Sequence, residues 1–290
     1  MNDIAADPCV LEMVRRALEE DIGPGDVTSL ALVPEQVACR AAILARHPVT
    51  VSGGSVAAQC FRQTDPGLTC ETLVRDGERA ATGQALLTVS GAARSILTAE
   101  RTALNFMQRM TGIATLTRRF TEIADRYGVA VLDTRKTAPG LRALDKYAVL
   151  CGGGVNHRMG LHDRFLIKDN HRALWAGSGR KSLADAVRHC RNTFPGLAIE
   201  IEVETEAELA DALNGAPEWI LLDNMTPETM RRCVALCKGG SRLEASGGIT
   251  LETVDAVAQT GVDAISLGCL THSPLAADLS LEIEPDREGA

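Results

Sequence analysis

The sequence predicts an α/β protein, an incomplete β/α barrel preceded by an N-terminal α+β domain. Three observations lead there. From about residue 129, an apolar run that ends in a polar residue recurs six times. The last four runs return about every twenty residues with helical patterns between them, the spacing of β/α units on a parallel sheet. The first hundred residues lack this repeat and read as short helices and strands.

The elements follow in chain order. "VRRALEEDIG" has helical spacing and ends at Gly23, a residue suited to a helix C-terminus. "CRAAILARHPVTVSGG" and "LTCETLVRDGERAATGQALLTVSG" read as strands, with turns at Asp76-Gly77 and Gly83. A long, Thr-rich helical stretch runs from about Ser95 to Tyr127 and is expected to break near Gly112. The barrel strands are expected in "VAVLDTRK", "RFLIKDN", "LAIEIEVET", "WILLDN", "RLEASGG" and "AISLG". Between the later ones, "SLADAVRHCRNTF", "EAELADALNG", "PETMRRCVALCK" and "LETVDAVAQT" carry apolar residues at helical spacing. Six strands are legible rather than the eight of a complete barrel. The expected division is residues 1–110 for the N-terminal domain, 111–275 for the barrel and 276–290 for a tail. In that tail, "LEIEP" can return a strand to the first domain.

Composition narrows the function. Hydrophobic residues make up 45% and aromatics only 3%, so the core is aliphatic. A formal charge of −8 argues against nucleic acid or an anionic membrane as a general partner. No apolar run has transmembrane length, and the acidic N-terminus lacks a signal-peptide pattern. The nine cysteines are scattered with no CxxC, which points to reduced packing thiols in a cytoplasmic protein rather than to zinc.

Charge is concentrated where strands end. The first 135 residues contain no lysine. From Asp133 to Arg172 there are eight Lys/Arg against four Asp/Glu, with three of the six histidines. A cationic site inside an acidic protein suits a small, highly anionic ligand. In β/α barrels the working groups stand at the C-terminal strand ends. Those ends carry Arg135-Lys136, Lys168, Glu202, Asp223, Ser246-Gly247-Gly248 and Gly268. "EASGGIT" and "SLGCLTHS", one unit apart, suggest a phosphate cradle of backbone amides backed by a helix start. Glu202 and Asp223 suit ribose hydroxyls, Mg²⁺ or a developing positive charge. Glu200, Glu202 and Glu204 alternate, so all three are expected on one face of a strand, with Lys136 and Lys168 as their cations. In "NHRMGLHDRF", His157 is the candidate site histidine, and His162 and His171 read as scaffold.

These residues, in this order, resemble the quinolinate phosphoribosyltransferase family, the carboxylating nicotinate-nucleotide pyrophosphorylases. The resemblance is carried by "ALEEDIGPGDVTS", "AERTALNFMQRMTGIAT", "DTRKTAPGLRALDKYAV", "GGGVNHRMGLHDRFLIKDNH", "IEVE", "ILLDNM", "EASGGI" and "GVDAISLGCLTHS". It implies an N-terminal α/β sandwich packed with an incomplete barrel, in a homodimer or higher oligomer whose sites are completed across the interface by Arg101. It implies transfer of phosphoribosyl from phosphoribosyl pyrophosphate to quinolinate, with loss of CO₂ and formation of nicotinate mononucleotide. The family's quinolinate positions fall on Arg101, Arg135, Lys136, His157, Arg158 and Lys168. Its phosphate positions fall on Ser246, Gly247, Gly248 and Gly268, and its ribose positions on Glu202 and Asp223, with Thr134 and Ser266 as further expected substrate-binding residues. Mg²⁺ is expected on the pyrophosphate, with Glu202 and Asp223 as the side chains nearest to such a role. Lys136, Lys168, Glu202 and Asp223 are the expected catalytic residues.

Two other readings were open at this level. A Schiff-base aldolase would use Lys168, and a paralogue of the same fold would take another acceptor. A lipoyl-type carrier hairpin in "VRDGERAATGQALLTV" is excluded because the segment has no lysine.

Overall fold

The structure, a computed structural model, describes residues 4–177, 179 and 182–284. The chain forms two compact units. The first comprises Met1–Arg118, Thr137–Gly153 and Leu270–Ala290, so far as these are described, and the second Arg119–Lys136 with Gly154–Cys269.

In the first unit, α1 (Pro8–Ile22) begins with Asp7 accepting the Cys9 amide and Pro8 in the first turn, and it ends at Gly23 with φ +51°. After α2 (Val27–Leu32) come β1 (Ala38–Ala45), β2 (Val49–Thr50), α3 (Gly54–Thr64), β3 (Thr69–Thr72), β4 (Arg79–Ala80) and β5 (Ala85–Ala92). The core is aliphatic with few rings, Phe61 and Phe106 among them. Val10, Val14 and Leu18 of α1, Val56 and Phe61 of α3, Ile43 of β1 and Leu87 of β5 are buried.

The Thr-rich segment forms one continuous helix, α4 (Ala93–Ala124), rather than two. Gly112 is there for a different reason: a Cβ on it would lie 2.0 Å from the Leu275 carbonyl oxygen. The tail runs against α4 at backbone distance, and only glycine leaves room. The threonines also have work to do. Thr111 Oγ1 accepts the Ser52 amide at 3.2 Å and donates to the Ser52 carbonyl at 2.9 Å, while Thr115 Oγ1 accepts the Thr50 amide at 3.0 Å. They satisfy backbone groups of β2, which the short β4 pairs on one side only, and of Ser52 just after it. Next in this unit is α5 (Arg142–Cys151). Its Asp145, fully buried, accepts Arg109 Nε and Nη2, both at 2.8 Å, and the Ala138 amide at 3.0 Å.

The second unit holds six parallel strands: β6 (Ala130–Leu132), β7 (Phe165–Ile167), β8 (Ile199–Val203), β9 (Trp219–Asp223), β10 (Arg242–Ser246) and β11 (Ala264–Ser266). Each falls in one of the six expected runs. Their order is β6-β11-β10-β9-β8-β7, so consecutive strands β6 and β7 form the two edges and the barrel stays incomplete. The connecting helices are α6 (Asp169–Gly177), α7 (Leu183–Thr193), α8 (Glu206–Leu213), α9 (Pro227–Cys237) and α10 (Val254–Ala258), and α11 (Cys269–His272) follows β11 and belongs to the first unit from Leu270 on. Ser182, Thr205 and Thr226 cap α7, α8 and α9 by accepting the amide three residues on.

The last strand, β12 (Leu279–Glu284), begins two residues before "LEIEP", overlaps it, and pairs antiparallel with β1, giving the first unit a sheet ordered β12-β1-β5-β3. Residues 285–290 of the expected tail lie outside the described residues. All nine cysteines are free. Among the described residues no helix is long and apolar enough to cross a membrane.

Candidate active site

The site is assembled where β6 ends. Asp133, fully buried, accepts the His157 amide on Oδ1 at 2.9 Å. Its own amide donates to the Val155 carbonyl, and the Val155 amide donates to Val131. The glycine-rich segment is thereby stitched to the strand end, which sets His157 and Arg158 beside Thr134, Arg135 and Lys136. Thr134 Oγ1 accepts the Lys136 amide at 3.0 Å and tightens that turn. These five residues, with Lys168, Ser246 and Ser266 from three other strand ends, line one cavity of about 280 Å³. Its remaining lining is Leu166, Leu221 and Glu244. A larger cavity of about 650 Å³ opens at the opposite, N-terminal strand ends. Size does not choose between them, because the charged side chains of the larger one are occupied. Glu218 accepts the Ile199 amide, Asp263 the Leu243 amide, and Arg242 lies over the Trp219 ring.

The smaller cavity is short of anions. Arg135 Nε is buried with no hydrogen-bond partner. Burial first, and then the charge of Arg135, lower the pKa of Arg158. Two neighbouring guanidiniums, one with a buried donor unmet, describe a place that an anionic ligand would stabilise. Lys168 Nζ sits 3.2 Å from Glu202 Oε2. Burial and the Glu202 charge raise the Asp223 pKa against the pull of Lys168, Asn224 and Lys136. Glu202 and Asp223 therefore stand together at adjacent strand ends, within the field of two lysines.

The row of carboxylates differs from expectation. Glu200 is fully buried and Glu202 nearly so, but Glu204 lies past the end of β8 and is exposed. Its place is taken by Glu244, also fully buried. The strand register explains this, since Glu202 aligns with Leu221 on β9 and Leu221 with Glu244 on β10. The cations differ as well. Lys168 meets Glu202, whereas Glu200 meets Arg164 at 3.2 Å and His157 Nε2 at 3.0 Å, neither contact involving Lys136. His157 Nε2 is also 3.5 Å from Glu244 Oε2. His157 is buried, and its Nδ1 accepts the Arg158 amide at 2.7 Å. A neutral ring with Nδ1 accepting carries its hydrogen on Nε2, which lies close to both carboxyls without hydrogen-bond geometry to either.

The carboxyl oxygens of Glu200, Glu244 and His157 Nε2 lie within 4.8 Å of one another, a spacing that metal ions also use. The tautomer speaks against a metal, because a nitrogen carrying hydrogen cannot ligate. Neither carboxyl has a hydrogen-bond partner of good geometry. Burial, reinforced by the Glu200 charge, pushes the Glu244 pKa up to about 8. Burial also raises that of Glu200, with Arg164 as the main opposing charge. Both carboxyls of the pair are thus pushed toward their protonated forms, Glu244 by burial and by the Glu200 charge beside it.

The glycines divide by purpose. Gly247 has φ +102°, and a Cβ there would meet Asn224 Oδ1 at 2.2 Å, so packing against the next strand end demands it. Gly248 has φ +59° and open space where a Cβ would be. The helix expected directly after them starts only at Val254 and spans five residues, so no helix start stands directly behind these glycines. Gly268 immediately precedes α11. Glu202, Asp223, Gly247, Gly248 and Gly268 occupy strand ends around the cavity without lining it. Arg101 is exposed on α4, in the other unit.

Sequence reasoning passed over Asp133, Arg164 and Glu244. Asp133 directly follows an apolar run, and Glu244 lies two residues before Ser246, on the same face of the strand. Those positions were the available signals.

Comparison with known proteins agrees over nearly the whole chain. Residues 26–111 match the family model for the quinolinate phosphoribosyl transferase N-terminal domain, and residues 113–282 that for its C-terminal domain. A Nicotiana tabacum protein named quinolinate phosphoribosyltransferase [decarboxylating] 1b is 42% identical over 94% of this chain and 82% of its own. A Bacillus subtilis protein named probable nicotinate-nucleotide pyrophosphorylase [carboxylating] is 40% identical over 93% and 91%. The solved structure of the nicotinate-nucleotide pyrophosphorylase from Francisella tularensis superposes with a TM-score of 0.90 at 36% identity, covering 97% of this chain and 99% of that one.

Proposed function

The chain belongs to the quinolinate phosphoribosyltransferase family, and from that premise we infer how its residues carry the reaction. It is a decarboxylating pentosyltransferase. It joins quinolinate to the ribose of phosphoribosyl pyrophosphate and yields nicotinate mononucleotide, pyrophosphate and CO₂ on the way to NAD. The observation that carries the residue assignments is the anion-poor cavity ringed by Arg135, Lys136, Arg158 and Lys168. Quinolinate brings two adjacent carboxylates. Arg135 and Arg158 grip them through paired N–H groups, while Lys136 and Lys168 act as point charges. Thr134 shapes that wall through the Lys136 amide. The 5′-phosphate rests on Ser246, Ser266 and the amides of Gly247, Gly248 and Gly268.

Glu202 and Asp223 meet the ribose. As pyrophosphate leaves, C1 gains oxocarbenium character, and these two carboxylates stabilise it. The pyridine nitrogen then attacks C1. Glu202 is engaged by Lys168, and Asp223 Oδ2 by the Asn224 amide group at 2.7 Å. We therefore assign Mg²⁺ to the oxygens of the pyrophosphate rather than to these side chains. When bound there, it neutralises charge on the leaving group. Arg101 completes the dicarboxylate site from the neighbouring subunit of a homodimer, a role that suits an exposed cation on α4. Nine free cysteines support a reducing, cytoplasmic setting.

The test is acceptor choice. Purified protein with Mg²⁺ and phosphoribosyl pyrophosphate receives either quinolinate or nicotinate. Nicotinate lacks one carboxylate and so about two charge-assisted hydrogen bonds, each worth roughly 1.5–3 kcal/mol. Its kcat/KM should be at least about a hundredfold lower. Equal rates overturn the assignment.

A further inference from the structure

We propose that Glu244 holds a proton at the floor of the cavity and gives it to C2 of the pyridine ring as the 2-carboxylate leaves. The proposal rests on the reaction assigned above. Once the ring nitrogen is ribosylated, the C2–carboxylate bond can break with its electron pair staying on C2, beside the cationic nitrogen. CO₂ departs, and the pair must take up a proton to give nicotinate mononucleotide. Among the groups described here, Glu244 is the one suited to supply it.

Four observations carry this. Glu244 lines the cavity, yet it is fully buried and its oxygens have no hydrogen-bond partner of good geometry. A buried carboxylate in that state is costly, and a carboxylic acid beside the Glu200 carboxylate is not. The groups facing it support the same division. Burial and Glu200 on β8 favour the acid, while the charge of His157 when protonated, Ser266 on β11 and Arg164 before β7 oppose with weaker effect. His157 is unsuited to the task because its Nε2 lies against the carboxyl pair and its Nδ1 is occupied. Lys168 is held by Glu202.

Charge conservation is the fourth point. A neutral acid on the floor does not repel a dicarboxylate arriving above it. When CO₂ leaves and Glu244 gives up its proton, the negative charge lost from the substrate reappears on Glu244. The cations that bound the 2-carboxylate remain to balance it. Glu244 regains a proton from water after product release, so one solvent proton is consumed per turnover.

The experiment is rapid-quench single turnover of the full-length enzyme with Mg²⁺, phosphoribosyl pyrophosphate and quinolinate. Wild type is compared with Glu244→Gln and Glu200→Gln, with pyrophosphate, dicarboxylate mononucleotide and nicotinate mononucleotide measured separately. In wild type, nicotinate mononucleotide formation should slow as pH rises through about 8. In Glu244→Gln, pyrophosphate release should persist while nicotinate mononucleotide formation falls at least about tenfold. The dicarboxylate mononucleotide should accumulate, and the alkaline decline should vanish. Glu200→Gln removes the charge that raises the Glu244 pKa, so its decline should move to lower pH. This second variant covers the case in which Glu244→Gln does not fold, which quinolinate binding and melting temperature will reveal. Full-rate product formation in Glu244→Gln, or an alkaline decline unmoved in Glu200→Gln, overturns the proposal while leaving the reaction intact. Wild type that releases no pyrophosphate with quinolinate overturns both.

Discussion

Glu202→Gln separates charge from scaffolding at the ribose end of the site. The Glu202 carboxylate lies 3.2 Å from Lys168 Nζ, with Glu202 9% and Lys168 46% exposed by side chain. At an effective dielectric of about 20, the gross attraction is about 5 kcal/mol. Lys168 is nearly half in water, so screening and desolvation reduce the net contribution to stability to about 1–2 kcal/mol. That corresponds to a melting-temperature loss of roughly 2–8 °C for a chain of this size. Loss of a carboxylate that stabilises ribosyl charge in the transition state costs more, about a hundred- to a thousandfold in rate. The amide keeps the shape and removes only the charge. The expected result is a fall in kcat of at least about a hundredfold, little change in KM for phosphoribosyl pyrophosphate, and a small drop in melting temperature. Steady-state kinetics and differential scanning fluorimetry on one preparation decide it. Near-normal kcat with a large drop in melting temperature would reduce Glu202 to a counter-ion for Lys168 and refute the reasoning; Asp223→Asn is read in the same way.

Three further predictions concern assembly and stability. Arg101→Ala and Lys136→Ala should each be nearly inactive, and mixing them with verified subunit exchange should restore part of the activity, because one hybrid site is intact; no recovery counts against a shared site. Asp145→Asn breaks the bidentate pair between fully buried Asp145 and the partly exposed Arg109 and should cost about 3 kcal/mol, the low end for a buried pair; a melting temperature lowered by less than about 2 °C would contradict that. Because the folded-state pKa of Glu244 is raised, the stability it contributes is fully present below its ordinary value of 4.5 and is lost as pH rises through about 8. Urea titrations at pH 5, 6.5 and 8 should therefore show wild type losing stability relative to Glu244→Gln as pH rises, and a constant difference would show that Glu244 is ionised throughout.

The parallel strands were legible because strands covered on both faces are nearly continuous apolar runs, and the polar residue ending each run marks the rim. That rule drew attention to Lys136, Lys168, Glu202 and Asp223 as rim residues. What escaped depends on alignment between strands. Nothing within "RLEASGG" says that Glu244 stands level with Glu202 two strands away; the β8–β9–β10 register says it. The same holds for Arg164, whose partner Glu200 is far along the chain. Gly112 was misread because a helical glycine signals a break only when nothing approaches it, and here the Leu275 backbone does. The late start of α10 has no counterpart in the periodicity of "LETVDAVAQT", which is helical throughout while the chain uses only its middle.

The pairing of β1 with β12 has a consequence for how the protein is made. About 230 residues separate Ala45 from Leu279. Ribosomes add about 5–20 residues per second, so β1 waits roughly 12–50 s for its outer neighbour after it emerges. Throughout that interval β5 can cover one side of it, while the other remains an open edge carrying Ala41 and Ile43, ready to accept a strand from another nascent chain. Yield of soluble enzyme should accordingly depend on translation speed and on chaperones far more than the stability of the finished fold suggests, and removal of residues 279–284 would make that transient hazard permanent.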